Sequence, residues 1–143
     1  MREMFTRIVQ AEEPADAMDA VLDGHVELEG NLFDVAVPAV SVILAALAGE
    51  LAPFARHLLM INLWRLVCGE AHHTEMAFGR THLGDECRHK AREGVWVILN
   101  EGLRHNGEEA IDILEQIDLD DERRDYYIDV VRARMARRGA AGA

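Results

Sequence analysis

The sequence predicts an all-α fold: a short α-solenoid of antiparallel helix pairs, about six helices in one domain spanning residues 1–143. Three observations carry that expectation. Apolar residues recur at helical spacing along most of the chain, no segment alternates long enough to make a strand, and two stretches resemble each other. Asp34 to Gly49 reads D-V-A-V-P-A-V-S-V-I-L-A-A-L-A-G, and Cys87 to Ile117 reads C-R-H-K-A-R-E-G-V-W-V-I-L-N-E-G-L-R-H-N-G-E-E-A-I-D-I-L-E-Q-I. Each joins an apolar helix containing V-I-L to a second helix, with Leu58-Leu59 in one copy and Ile113-Leu114 in the other, at an offset of about 55 residues. One helix pair cannot cover its own apolar face and must stack on a neighbour.

The elements follow in order. Residues 1–12 are an N-terminal extension, and its stripe of Met4, Phe5, Ile8 and Val9 suits either capping the stack or docking on another chain. Pro14 suits the first turn of a helix running to about Gly30, with Met18, Val21, Leu22, His25, Val26 and Leu28 as its apolar side. Asn31 or Asp34 caps the next helix, which has Pro38 in its first turn or at a kink and ends at Gly49. Pro53 opens a third that is apolar almost all round, from Leu58 to Val67, and such a helix belongs in the middle of the stack. Gly69 to Gly84 has three glycines and three histidines without an apolar period, and reads as the longest loop. Asp85 caps a fourth helix reaching about Arg104, with Ala91, Val95, Ile98 and Leu99 inward; Gly107 starts a short fifth with Ala110, Ile113, Leu114 and Ile117 inward. Asp120 or Asp121 starts the last, whose inward set is Tyr127, Val130, Val131 and Met135, and residues 139–143 form a frayed tail. Trp64 and Trp96 lie in apolar stretches and are expected in the core, Ser41 is expected to be buried, and Tyr126 is expected at the surface.

Charge narrows the functions. The net charge of −11 repels phosphate backbones, so nucleic acid is a poor partner. The one basic cluster, Arg132, Arg134, Arg137 and Arg138, complements the C-terminal dipole of the last helix. The longest apolar run, Val35 to Ala48, is too short for a membrane span and contains Pro38; no membrane partner is expected. Met1 to Gln10 lacks the apolar core of a signal peptide, which makes the cytoplasm the default address. Cys68 and Cys87 give no disulfide framework and read as reduced, half-buried thiols.

The helix-pair pattern, the A-V-P-A-V motif followed by L-A-x-L-A-G, and the C-R-x-x-A-R-E-G-x-x-x-x-L segment together resemble the divergent HEAT-like repeat proteins of actinobacteria, over roughly residues 14–118. The resemblance implies an α-solenoid that binds partners through helix faces. It brings no catalytic residues and no cofactor.

The sharpest chemical candidate is the segment 69–89. Glu70-x-x-His73 and Glu86-x-x-His89 have the spacing that puts a carboxylate and an imidazole on one helix face, and His72, Glu75, His82 and Asp85 lie between them. They are weak candidates for acids, bases or ligands, since two motifs flanking a loop do not make a bundle metal site; a solvated polar loop without metal is the expected reading. Glu27, Glu29 and Asp34 suggest an acidic pocket or simple capping, and D-L-D-D-E at 118–122 reads as helix capping, lacking the glycine and distant glutamate of a calcium loop. No phosphate-binding loop or nucleophile elbow occurs. The sequence therefore points first to a protein-binding module, an adaptor, inhibitor or accessory subunit of a larger enzyme complex, associated with itself or another protein. The alternatives are a small enzyme of specialised metabolism with its site near the 69–89 segment, and a nucleic-acid-directed protein or acidic DNA mimic.

Overall fold

A computed structural model of the chain describes residues 2–17, 24–117 and 120–141. Most of them are helical: α1 (Arg2–Gln10), α2 (Ala36–Leu47), α3 (Pro53–Cys68), α4 (His73–Ala77), α5 (Leu83–Glu93), α6 (Val95–Arg104), α7 (Gly107–Gln116) and α8 (Asp121–Ala141). Three two-residue strands, β1 (Glu27–Leu28), β2 (Asn31–Leu32) and β3 (Glu70–Ala71), form one small sheet in that order.

Helix α3 organises the rest. Pro53 at its N-terminus has no N–H to leave unsatisfied, and Ala55, Leu59, Met60, Leu63, Leu66 and Val67 are buried from one end to the other. Apolar around most of its circumference, α3 packs against α1, α2, α5 and α7 and takes the central place expected of it. The first similar stretch becomes α2, which packs on α3, and the second becomes the end of α5 followed by the pair α6/α7. In each, the V-I-L motif buries its second and third residues, Ile43-Leu44 and Ile98-Leu99, and Leu59 matches the buried pair Ile113-Leu114. Leu58, Ile61 and Val95 are only half-buried.

Where local turn chemistry decides, the structure departs from the pattern. The helix expected from Pro14 to Gly30 is not formed over its described part: Pro14–Ala17 is one 3-10 turn, tied by the Asp16 carboxylate accepting from the N–H groups of Glu12 and Glu13. Met18, Val21 and Leu22 lie outside the described residues; Val26 is buried, whereas His25 and Leu28 are exposed. The reason is a hairpin. Glu29 (φ 51°) and Gly30 (φ 82°) are both left-handed, the geometry of a two-residue type I′ turn, which no helix accommodates. It pairs Glu27 with Leu32 and Leu28 with Asn31, and the Gly30 N–H donates to the Glu27 carboxylate at 2.8 Å. β2 then pairs in parallel with β3, placing a strand inside the segment expected to be a loop.

Other boundaries move for identifiable reasons. Val35, without a capping side chain, precedes α2; Asn31 donates instead to the Leu28 carbonyl, and Asp34 meets Arg80. Ser41 faces outward, correcting its expected burial. The single helix expected from Asp85 to Arg104 starts earlier, at Leu83, and is two, because Gly94 interrupts it where Leu44 of α2 presses in; a Cβ there would lie 2.6 Å from the Leu44 side chain. α8 runs through Gly139 to Ala141, further than the frayed tail expected from residue 139, and buries Ile128 and Val131 while Tyr127, Val130 and Met135 are half-buried. Trp64 and Trp96 are not core residues: they are 39% and 66% exposed.

The α1 stripe packs inward, and Phe5 and Val9 also line an open groove of about 490 Å³ with Val42. Phe5 and Ile8 are buried in the core and α1 contacts α3, so these residues cap the chain's own apolar interior; Met4 and Val9 pack partly buried beside them.

Leu59 lies at the centre of α3 with no exposed surface. Leu59→Ala is expected to cost roughly 2–5 kcal/mol in urea unfolding. A loss below about 0.5 kcal/mol would show that α3 is not the centre of the core.

Candidate functional site

The residues of the 69–89 segment are held apart. Glu70 lies on β3 and His73 opens α4, so the first E-x-x-H pair never shares a helix face. The second does, with Glu86 and His89 on α5, where both are exposed and border an open groove of about 510 Å³ with Arg88, Lys90 and Arg92. Among the described residues, no three His, Cys, Asp or Glu side chains converge as metal ligands. Several of these groups instead do local structural work. His72 precedes α4, where its Nδ1 accepts from the Thr74 N–H at 3.3 Å while its ring packs against Phe33 and His73. The buried Glu75 carboxylate takes the Arg80 guanidinium at 2.7 Å. Arg88 is the clasp of the region: it donates to the Val67 carbonyl, to Glu70 at 3.1 Å and to Asp85 at 2.8 Å, joining the end of α3 to β3 and α5. That guanidinium holds the Asp85 carboxyl below its ordinary value, chiefly by hydrogen bonding.

The strongest polar feature of the interior was not visible in the sequence. Glu101, with no exposed surface, meets the Arg56 guanidinium, which also donates to the carbonyls of Leu47 at 3.1 Å and Gly49 at 2.7 Å. Asn106 donates to the second Glu101 oxygen at 3.2 Å, and its own carbonyl faces His57 Nδ1 at 3.2 Å. Because Asn106 gives its amide to Glu101, His57 must carry its proton on Nδ1, which also lies 3.3 Å from Glu109. This chain of polar groups links the end of α2, the start of α3, the end of α6 and the start of α7. Its signal in the sequence was a glutamate on the apolar side of α6, three residues past Ile98.

The remaining charged candidates resolve individually. Glu27 is buried between the Gly30 N–H and Arg65, and with Glu29, Trp64 and Cys68 it borders a recess of about 300 Å³; Asp34 is elsewhere, on Arg80. Asp120 accepts from the Arg123 N–H and caps α8 as expected, while Asp118 lies outside the described residues. The C-terminal arginines do complement a helix end, but that of α6: Arg134 donates to the Leu103 carbonyl, and Arg138 to those of Gly102 and Arg104. Among the described residues no helix is long and apolar enough to cross a membrane.

The large hydrophobic side chains left exposed include Leu28, Val42, Trp64, Met76, Phe78, Trp96 and Tyr126, and the last two belong to a cluster of rings. Trp96 of α6 meets Tyr127 of α8 edge-on at 5.6 Å between ring centres, and Tyr127 lies 6.1 Å from Tyr126, which is 65% exposed. The three rings form a line across α6 and α8. Such a line offers flat apolar area with a polar rim, which suits contact with another molecule more than bond-making. The surface exposure of Tyr126 was legible in the sequence; that of Trp96 was not, because its neighbours Val95 and Val97 made the stretch look internal.

The two thiols differ. Both are free; burial pushes Cys87 up to about 12, with Glu86 adding to the effect, and burial followed by Asp112 raises Cys68, although Cys68 has exposed surface. A raised folded-state value means that the Cys87 contribution to stability is intact below the unfolded thiol's value of about 8.5 and is lost as pH climbs toward the folded one. In the native chain at pH 8, a thiol-specific disulfide reagent should therefore modify Cys68 and spare Cys87 until urea unfolds the protein, and Cys87→Ala should flatten the loss of stability above pH 8.5. Equal rates for the two thiols would contradict this placement. No family model, no curated protein and no solved structure matches the chain.

Proposed function

We propose that the chain is a protein-binding helical module, serving as an adaptor, inhibitor or accessory subunit of a larger enzyme complex and built as a short HEAT-like solenoid. The observation that carries this reading is the exposed line of Trp96, Tyr127 and Tyr126. Aromatic side chains are over-represented at the buried centres of protein contacts because they supply large area at small entropy cost, and here two of three are mostly uncovered. The polar groups in the 69–89 segment lend support by being engaged in capping and ion pairs rather than aimed at a common point. The solenoid part of the proposal draws on the repeated pairs α2/α3 and α6/α7 and on the contact between α3 and α7.

The test places a photo-crosslinking residue at position 96 or 126 in the host cell, with exposed Ala45 on α2 as a control. Adducts at 96 and 126 with the same protein, and none from Ala45, are expected. In the purified complex Trp96→Ala with Tyr126→Ala should weaken binding by about 2 kcal/mol or more, roughly thirtyfold, while the melting temperature stays put. An absence of adducts at both positions, or the same adducts from Ala45, would sink the proposal.

A further inference from the structure

We infer that the segment recognised by this aromatic line is an arginine-rich, basic peptide of the partner protein, an assignment that rests on reading the line as a protein contact. The charge of the chain is not spread evenly. Residues 108–129 hold ten carboxylates against two arginines, a balance of −8 in a chain whose total is −11. That stretch contains α8's first turns and two of the three aromatic residues.

Helical spacing places the charge against the rings. Glu122, Asp125, Tyr126 and Asp129 stand at i, i+3, i+4 and i+7, on one face of α8, and all four are exposed. Tyr126 is thus bracketed by three carboxylates. Their internal partners hold them loosely: Asp125 lies 3.4 Å from Arg124, Asp129 lies 3.9 Å from Arg132, and the two carboxylate side chains are 69% and 77% exposed. Exposed pairs of this kind contribute little, so an incoming cation gives up little by displacing them. Asp125 and Asp129, with Glu115, also border a groove of about 450 Å³ that Arg124 and Arg132 share.

Arginine fits this surface better than lysine. A guanidinium is flat, stacks on the faces of tryptophan and tyrosine, and can at the same time give two parallel hydrogen bonds to a carboxylate, whereas an ammonium brings only its charge. Tyr126 and the carboxylates share one face of α8, and Tyr127 and Trp96 continue the rings toward α6, so a peptide carrying several arginines engages both kinds of group. Anionic ligands are repelled by the same field.

The full chain titrated by calorimetry with nona-arginine, nona-lysine and nona-glutamate tests the assignment. Nona-arginine should bind with a micromolar Kd that weakens as salt is raised, about fivefold or more tighter than nona-lysine, and nona-glutamate should not bind. Trp96→Ala with Tyr126→Ala should weaken it about tenfold, and Asp125→Asn with Asp129→Asn, which leaves the rings in place, by a similar factor. Equal affinity for lysine and arginine, or unchanged affinity in either double variant, would overturn the assignment, as would a complete absence of binding. If position 126 still crosslinks to a partner whose adduct maps to a segment without arginines, only this inference fails; if crosslinking fails as well, the module itself is wrong.

Discussion

A carboxylate shut away from water is the constraint on which this fold turns. Glu101 has no exposed surface, and an unpaired buried charge would cost several kcal/mol, so the helix carrying it can occupy its place only if a cation reaches the same spot. Arg56 does so from the first turn of α3, while also donating to the carbonyls of Leu47 and Gly49 left open at the end of α2. One side chain therefore closes one helix and neutralises another. Asn106 takes the remaining carboxylate oxygen and positions His57, and the start of α7 follows. Apolar burial supplies most of the driving force, but it is non-directional; this network fixes how the α2/α3 pair sits against α6/α7.

A second junction positions the opposite end of α3. Gly69 and Gly84 come together so closely that a Cβ on Gly84 would lie 2.5 Å from the Gly69 carbonyl, which lets the first turn of α5 approach the backbone leading into β3. Arg88 then clasps the end of α3, β3 and Asp85 at once. Of the histidines and glutamates of this region, Glu70 belongs to that joint, His72 and Glu75 are engaged around α4, and Glu86 and His89 stay exposed. α8, by contrast, is joined to α6 through Arg134 and Arg138 and leaves a long outer face free.

Helices with a clear apolar stripe were legible in the chain. α3, α7 and α8 are found close to where Pro53, Gly107 and Asp120 announce them, and the central place of α3 follows from its composition. The hairpin at 27–32 was not legible: strands of two residues show no alternation, and a Glu-Gly turn lacks the Asn or Asp that usually marks a type I′ loop. Gly94 splits a helix because of Leu44, fifty residues earlier in the chain, and no local pattern contains that contact. Trp64 and Trp96 were placed in the core from their apolar neighbours, yet a helix with apolar residues beside it in sequence can still turn one of them outward. The pairing of Arg56 with Glu101 was hidden for the same reason, since forty-five residues separate them.

The exposed aromatics matter for this architecture because the core does not need them. Leu59, Ile98 and Ile113 fill the interior, while Trp96 and Tyr126 lie outside it and Tyr127 packs against its edge. Whether the interior is indeed set by the buried ion pair is tested most directly by a double-mutant cycle at Arg56 and Glu101 with urea unfolding as the readout. Arg56→Met and Glu101→Leu, each alone, should cost about 3–5 kcal/mol, while the double variant should cost well under their sum, with a coupling of about 1.5 kcal/mol or more. Additive single losses, each below about 1 kcal/mol, would show that apolar packing alone fixes the arrangement and that the pair is incidental.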